Sequence, residues 1–229
     1  MAINLQSVTS LVNNNGVKLL IYGGSGAGKT RLISTAPSPI VISSESGLLS
    51  LAKVCRELGL QIPAITIKSY EDLHEAYTFC SQDPKMQHFK TVCLDSISDI
   101  SETVLSAMKK KCKDPRQAYG EMQDKVVTII KLFRDLPNKH VYFASKEEKD
   151  QAGKSTPSLP GKNLTNGISY YFDEVFRLVP VADLETKETV RWFATENNEL
   201  THVAKDRSGM LDAWEPANIT HVIKKIQSA

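Results

Sequence analysis

Short apolar runs alternate along this chain with longer stretches whose apolar residues recur every three or four positions. Runs of the first kind fit strands buried on both faces, and stretches of the second fit amphipathic helices. Their alternation predicts an α/β fold with a mostly parallel sheet flanked by helices. Strands are expected at 17–22, 40–43, 64–67 and 91–94. A short helix should follow the first of them over 29–35, stopped by Pro37 and Pro39, which cannot continue a helix. Ser69, with Asp72 three residues on, has the spacing of a helix start in which each side chain answers the other's backbone. Between 117 and 136, Met122, Val126, Ile129, Ile130 and Phe133 keep helical spacing, and 141–144 reads as a fifth strand, which makes that helix a crossover.

The last third of the chain has a different rhythm. Candidate strands at 175–179, 190–195 and 200–204 lie close together, with the turn-like Glu196, Asn197 and Asn198 between the last two. Such spacing favours antiparallel strands added to the sheet. Residues 149–167 hold Gly153, Pro157, Pro160, Gly161 and Gly167 and show no hydrophobic period. They are expected to form a mobile loop within a single domain that spans 1–229.

Composition narrows the class. With 229 residues, 41% of them hydrophobic and 24% charged, the chain fits an ordinary globular domain with a sizeable core. Its 28 basic and 26 acidic residues exclude a polycation, so any affinity for nucleic acid must come from local clusters. Cys55, Cys80, Cys93 and Cys112 form no C-x-x-C pair, which argues against a zinc site and a disulfide framework and favours a reducing cytoplasm. The longest early apolar run, 19–22, is far too short to span a bilayer, and no basic stretch precedes it, so no membrane partner is expected.

One motif carries definite chemistry. Gly23-Gly24-Ser25-Gly26-Ala27-Gly28-Lys29-Thr30 fits G-x-x-x-x-G-K-[ST], directly after a predicted strand and directly before a predicted helix. Its glycines let the backbone wrap phosphates, and the helix start offers free N–H groups to anionic oxygens. A nucleoside triphosphate with Mg2+ is the expected ligand, ATP in particular, with Lys29 on the β and γ phosphates, Thr30 on the metal and Arg31 adjoining the site. Asp95, at the end of an apolar run, offers the metal a second oxygen, although an aspartate there also suits the cap of the next helix. Glu45, just after the second strand, places a carboxylate where water would be oriented or deprotonated; an acidic residue also simply stabilises a helix start.

The guanine-reading N-K-x-D is absent, since Asn138-Lys139 is followed by His140-Val141, and Asp95 is followed by Ser96 rather than by the glutamate usual in AAA+ ATPases. Both families are disfavoured on this ground. The ordered set resembles instead the RecA-like core, and within it the short phage RecA-like single-strand annealing proteins, which are close to RadA in their C-terminal half. The likeness runs from Gly23 to Gly209: the loop, Glu45 after the second strand, Leu94-Asp95-Ser96, Tyr119-Gly120 opening the crossover helix, and Lys205-Asp206-Arg207-Ser208-Gly209. That last run resembles the K-N-R-F-G of RadA, with Asp and Ser where RadA has Asn and Phe. Ser43-Ser44-Glu45 lacks the acidic residue that RecA carries two positions before its glutamate.

This resemblance implies a catalytic role for Glu45 and Lys29, a γ-phosphate sensor at Lys146 where RecA uses glutamine, and a homo-oligomer with ATP at its subunit interfaces. Lys205 and Arg207 would then reach a neighbour's γ phosphate. It also implies single-stranded DNA as partner, annealing or strand exchange in recombination and repair as the activity, a single-strand-binding protein as a further partner, and, for a phage protein, the bacterial cytoplasm. Sixteen residues ahead of the first strand leave little room for the segment that links RecA protomers, which argues against a stable filament.

Charge suggests where nucleic acid would bind, although a run of lysines is also commonly a solvated helix face. Residues 106–119 carry Lys109, Lys110, Lys111, Lys113 and Arg116 against Asp114, a net +4 in a chain of +2. They lie where RecA-like proteins carry a first DNA-binding loop, and 149–167, with Lys149, Lys154 and Lys162, lies where they carry the second. Lysines hold phosphates without reading bases, so little sequence preference is expected. Stacking is expected from Tyr119, Tyr170 and Tyr171, with Trp192 and Trp214 read as core or surface residues. Two other classes stay open: a small-molecule or nucleotide kinase, although 149–167 holds no arginine for a lid, and an ATP-dependent switch acting on a protein partner.

Overall fold

β1 (Lys18–Gly23) is buried from end to end, as a nearly all-apolar strand must be when helices cover both faces of its sheet. Its one charge, Lys18, reaches the carbonyls of Lys139 (2.7 Å) and Leu136 (3.1 Å), and burial lowers it to about 8. The structure is a computed structural model, and it describes residues 16–44, 47–183 and 188–228.

After β1 come α1 (Lys29–Leu32), β2 (Pro39–Ser43), α2 (Leu49–Leu58), β3 (Ala64–Thr66), α3 (Tyr70–Gln82), β4 (Thr91–Asp95), α4 (Ile97–Lys111), α5 (Pro115–Arg134) and β5 (His140–Lys149). Then follow β6 (Ser155–Ser158), α6 (Lys162–Gly167), β7 (Glu174–Ala182), β8 (Thr189–Ala194), β9 (Lys205–Asp206), β10 (Trp214–Pro216) and α7 (Ile219–Gln227). Six strands are parallel, in the order β7-β1-β5-β4-β2-β3. β8 and β10 extend the β7 edge antiparallel, β9 pairs with the start of β7, and β6 folds back on the far end of β5. The fold is therefore α/β, RecA-like in layout, with a mostly parallel sheet and antiparallel strands at its C-terminal end.

Alternate residues of each strand enter opposite layers. Leu20, Ile42, Leu94 and Phe143 pack under α3, α4 and α5. Leu19, Val41, Cys93 and Phe176 pack under α1, α2 and α7. Two aromatic residues of the central strands, Tyr22 near the end of β1 and Phe143 within β5, are fully buried. Among the described residues, no helix is long and apolar enough to cross a membrane.

Three expectations change. The helix at 29–35 is α for one turn only and finishes as a 3-10 turn at Ile33–Thr35, because Pro37 and Pro39 leave no room for a second turn. Residues 149–167 are a hairpin and a short helix rather than a mobile loop. β5 runs on to Lys149, β6 returns, and α6 buries Leu164 while Leu159 is buried just before it. A four-residue strand and a six-residue helix are too short to leave a period. No strand forms at 200–204; Asn198 closes a turn there, accepting from Leu200 and Thr201, and the strand begins at Lys205.

The expected helix start at Ser69 is present, with Asp72 N–H donating to Ser69 Oγ (3.1 Å) and Ser69 N–H to Asp72 Oδ2 (3.0 Å). Ser69→Ala is expected to destabilise the protein by about 1 kcal/mol, read as a lower urea midpoint with an unchanged slope.

Candidate functional site

The loop that follows β1 is shaped by backbone geometry. A Cβ at Gly23 would lie 3.0 Å from the carbonyl of Leu178 and 3.3 Å from Cβ of Ala27, so β7 leaves no space for a larger residue. Gly26 and Gly28 have φ of +76° and +106°, conformations that glycine adopts at little cost. Successive N–H groups in such a turn converge on one anion. Ser25 and Gly26 are exposed at the rim, Ala27 is buried beneath it, and Ala27 N–H donates to the Gly24 carbonyl at 3.2 Å. Lys29 Nζ donates to the carbonyls of Gly23 (2.6 Å) and Gly24 (3.1 Å) and so lies across the loop it serves. Tyr142 Oη anchors the start of α1 through the Lys29 carbonyl. Arg31 projects from α1 to solvent.

β4 delivers Asp95 to the same place. Its carboxylate is only 8% exposed; burial raises its pKa, and the Thr30 hydroxyl bonded to it and the nearby Lys29 ammonium oppose that shift. A hydroxyl, a carboxylate and an ammonium thus meet at the mouth of the loop. The two oxygens suit a hard cation such as Mg2+, which takes few protein ligands and binds phosphates as well. Glu45 lies outside the described residues; the nearest described neighbour, Ser44, donates its N–H to the Asp95 carbonyl at 3.4 Å. Ser96, the residue after Asp95, caps α4 by accepting from Asp99 N–H.

Lys146 stands beside Gly23 in the strand register. Its ammonium turns to α4, where it meets Asp99 (2.6 Å) and Glu102 (3.0 Å). Burial alone would lower Lys146, but those two carboxylates outweigh it and hold the group above its ordinary value.

Three side chains absent from the sequence reading touch the loop or its strand. Glu147 accepts from Gly24 N–H, from the Ser155 hydroxyl and from Arg177 (2.9 Å); burial would raise this carboxyl, and these donors lower it instead. The Tyr22 hydroxyl donates to the carbonyls of Val203 (2.6 Å) and Ser155 (3.0 Å). Arg191 Nε donates to the Ala27 carbonyl at 2.8 Å, so close that a Cβ on Gly28 would meet that nitrogen at 2.5 Å. Arg191 arrives because β7 outruns β1: the two pair only as far as Arg177, while β7 and β8 continue together to Ala182 and Thr189. Nothing in the spacing of residue 191 announces this.

The basic residues fall in three places. Lys109, Lys110 and Lys111 form the last turn of α4 and Arg116 the first of α5, so only 112–114, including Lys113, lie between helices. The cluster expected as a loop is the tip of a helical hairpin, and all five basic side chains are exposed. Lys149 is exposed on β5, Lys154 pairs with Glu199 at 3.1 Å, and Lys162 is exposed at the start of α6. Lys205 turns inward to the carbonyls of Phe172 (2.6 Å) and Ser169 (3.2 Å), whereas Arg207 stays exposed and pairs with Asp173 at 2.9 Å.

Register separates this last pair from the phosphate loop. Lys205 faces Val175, which faces Leu20, three residues or roughly 10 Å short of Gly23. Because β9 runs antiparallel to β7, Arg207 lies further still from the loop of its own chain. Between them Asp206 caps the following turn, accepting from Ser208, Gly209 and Leu211 N–H groups. Asp206 also borders Glu174, whose carboxyl is 2% exposed. Burial first, and the Asp206 charge second, push Glu174 from its ordinary 4.5 up to about 8.

A sequence model of the AAA domain family matches residues 15–208. No curated protein sequence matches the chain. Among 271 matching chains of solved structures is a KaiC-like protein, PH0186, from the hyperthermophilic archaeon Pyrococcus horikoshii OT3. It is 14% identical, with a TM-score of 0.50 over 83% of each chain, a likeness of fold. The family match supports a P-loop ATPase and goes against the disfavouring of AAA-type ATPases that was drawn from Asp95-Ser96. The position after Asp95 serves here to start α4, and Asp95 itself meets Thr30.

Two measurements follow from this geometry. Glu174 holds a proton that the unfolded chain releases, so stability present below pH 4.5 should be lost as pH rises through about 8. Glu174→Gln, of the same shape but unable to ionise, should flatten that slope in urea midpoints taken at pH 5, 7 and 9. Arg191→Ala removes a charged donor from the loop and is expected to weaken binding of a fluorescent ATP analogue roughly ten-fold, with little change in the far-UV spectrum.

Proposed function

The chain belongs to the AAA domain family and folds as a RecA-like P-loop ATPase, and from that premise we propose that it hydrolyses Mg·ATP while bound to single-stranded DNA, promoting annealing or strand exchange in recombination. In this reading 1–229 work as one domain. The loop from Gly23 to Thr30 cradles the phosphates, Lys29 neutralises the β and γ charges, and Thr30 with Asp95 holds the metal. Glu45, by its place after β2, orients the attacking water. Arg31 and Lys146 border the nucleotide.

The observation that carries the coupling to DNA is the wiring of the β5–β6 hairpin. Its strands hold Lys149 and flank Lys154, and between them they reach the phosphate loop and the strand that leads into it. Glu147 on β5 accepts from Gly24 N–H, and Ser155 on β6 accepts from Tyr22, the residue before Gly23. A backbone that pulls on this hairpin pulls on the junction of β1 with the loop, at Tyr22 and Gly24. Phosphates held by Lys149, Lys154 and Lys162, and by the exposed tip at Lys109, Lys110, Lys111, Lys113 and Arg116, supply an affinity that does not read sequence.

Arg207 is exposed and removed by register from the loop of its own chain, which favours action on a neighbour's γ phosphate. Lys205, bonded inside the chain to Phe172 and Ser169, supports the segment that presents it. The protein would then work as a homo-oligomer with ATP at its interfaces, alongside a single-strand-binding protein.

The test is turnover with and without an oligonucleotide. Single-stranded DNA should raise the ATPase rate of the wild type, and Arg207→Ala should lower it by roughly 10³ or more, the scale of a trans arginine. Mixing Arg207→Ala with an inactive Lys29→Ala partner should restore turnover. Changing Lys109, Lys110 and Lys111 together to glutamate should reduce the slope of log K against log salt by about 2, at about 0.7 per phosphate contact. Turnover that needs a small hydroxylated acceptor and ignores DNA would point to a kinase and overturn the proposal.

A further inference from the structure

Trp214, on the last strand, is 50% exposed, and its neighbours across the sheet explain what it faces. It lies opposite Ala194, which lies opposite Arg177, which lies opposite Tyr22. Residues level with one another on adjacent strands point to the same face. Along this row Ala194 is the one small member, so space remains between the indole and the guanidinium. The turn at 196–202 borders that space, a half-open cavity of about 440 Å³ lined by Arg177, Trp214, His202, Asn197, Asn198 and Thr201 among others. Its size is in the range of sites that take small flat ligands.

The lining selects the ligand. The indole supplies a flat apolar wall, with the His202 ring 6.3 Å away. Burial lowers the pKa of His202, which favours the neutral ring, and its two nitrogens are engaged by Thr201 and the Glu196 carbonyl. Arg177 gives one amino group to Glu147 (2.9 Å), while its buried Nε has no partner among the described residues. Glu196 lines the same space, and Glu147 already answers the charge of Arg177, which disfavours a phosphate there. A flat π-face with carbonyl or ring-nitrogen acceptors on its edge fits; an anion does not.

The surroundings supply the rest of the strand. β6 is bonded to the turn that borders the cavity, Ser155 N–H to the Thr201 carbonyl (2.9 Å) and Val203 N–H to the Ser155 carbonyl (3.0 Å). Lys154 is pinned to Glu199 of the same turn. A backbone tracked by Lys149 and Lys154 therefore passes the mouth of the cavity. We propose that this cavity takes one unpaired base of single-stranded DNA, stacked on Trp214 and met at its edge by Arg177. The inference rests on the DNA-binding function above and adds to it a base subsite. That subsite lies two side chains from the phosphate loop, through Arg177 and Glu147 to Gly24.

The chain has two tryptophans, Trp192 and Trp214, which makes the subsite visible by fluorescence. Oligo-dT should quench the emission of the wild type and of Trp192→Phe, and an abasic oligonucleotide of equal length should not. By anisotropy of labelled strands, Trp214→Ala should bind oligo-dT roughly ten-fold more weakly, the scale of one lost stack, and bind the abasic strand as the wild type does. Trp214→Phe, which keeps a ring, should recover most of the loss, and unchanged abasic binding shows that both variants are folded.

Equal quenching by the abasic strand, or oligo-dT affinity unchanged in Trp214→Ala, would sink the subsite while leaving DNA binding intact. Quenching of Trp214 by adenosine or ATP without DNA would assign the cavity to the nucleotide and overturn it as well. If the wild type binds neither oligonucleotide, the DNA-binding function itself fails and the subsite with it.

Discussion

The carboxylate of Glu147 collects the Gly24 N–H, the Ser155 hydroxyl and the Arg177 guanidinium, and the surroundings of the phosphate loop depend on that meeting. A charge at the margin of the core is tolerable only when its oxygens are answered. Here the answers come from the loop, from β6 and from β7, so satisfying one group fixes three segments relative to each other. Tyr22 repeats the arrangement two residues before Gly24, where its hydroxyl joins β1 to β6 and to the chain at Val203. The loop is therefore positioned by strands on both sides of β1, and its shape is set by neighbours distant in sequence as much as by its own glycines.

This division also explains what could be read from the sequence. Gly23 to Thr30, Asp95 and the Ser69 cap were legible because each is a local pattern: a glycine run between strand and helix, a carboxylate ending an apolar run, a serine three residues before an aspartate. The core strands were legible for the same reason, since burial on both faces leaves an apolar run. Glu147, Arg177, Arg191 and Trp214 carry no such mark. Arg191 reaches Ala27 only because β7 outruns β1, and Trp214 faces Arg177 only because Ala194 lies between them in the register.

The hairpin at 149–167 shows the same limit from the other side. Its glycines and prolines suggest a loop, while its order comes from β5 and from backbone bonds to 201 and 203. Glu45, which the resemblance makes catalytic, falls outside the described residues, so its role rests on its place after β2. AAA-type ATPases were disfavoured on the single residue after Asp95, which here starts a helix, whereas the family match rests on residues 15–208.

β7 separates the two ends of the proposed machinery. Its far end stands over the phosphate loop, and its near end, at Glu174 and Val175, carries the strand that presents Arg207. In the proposed oligomer such a subunit would offer a loop on one surface and an arginine on another, so contacts uniting them would run head to tail. Such a row is completed differently according to whether it closes. An open row of n subunits holds n − 1 finished sites, whereas a closed ring holds n. Turnover per subunit in an open row would climb with its length and with protein concentration, while in a ring it would be fixed at assembly. The register of β9 on β7 sets Arg207 apart from its own loop, and the concentration dependence of turnover would tell an open row from a ring.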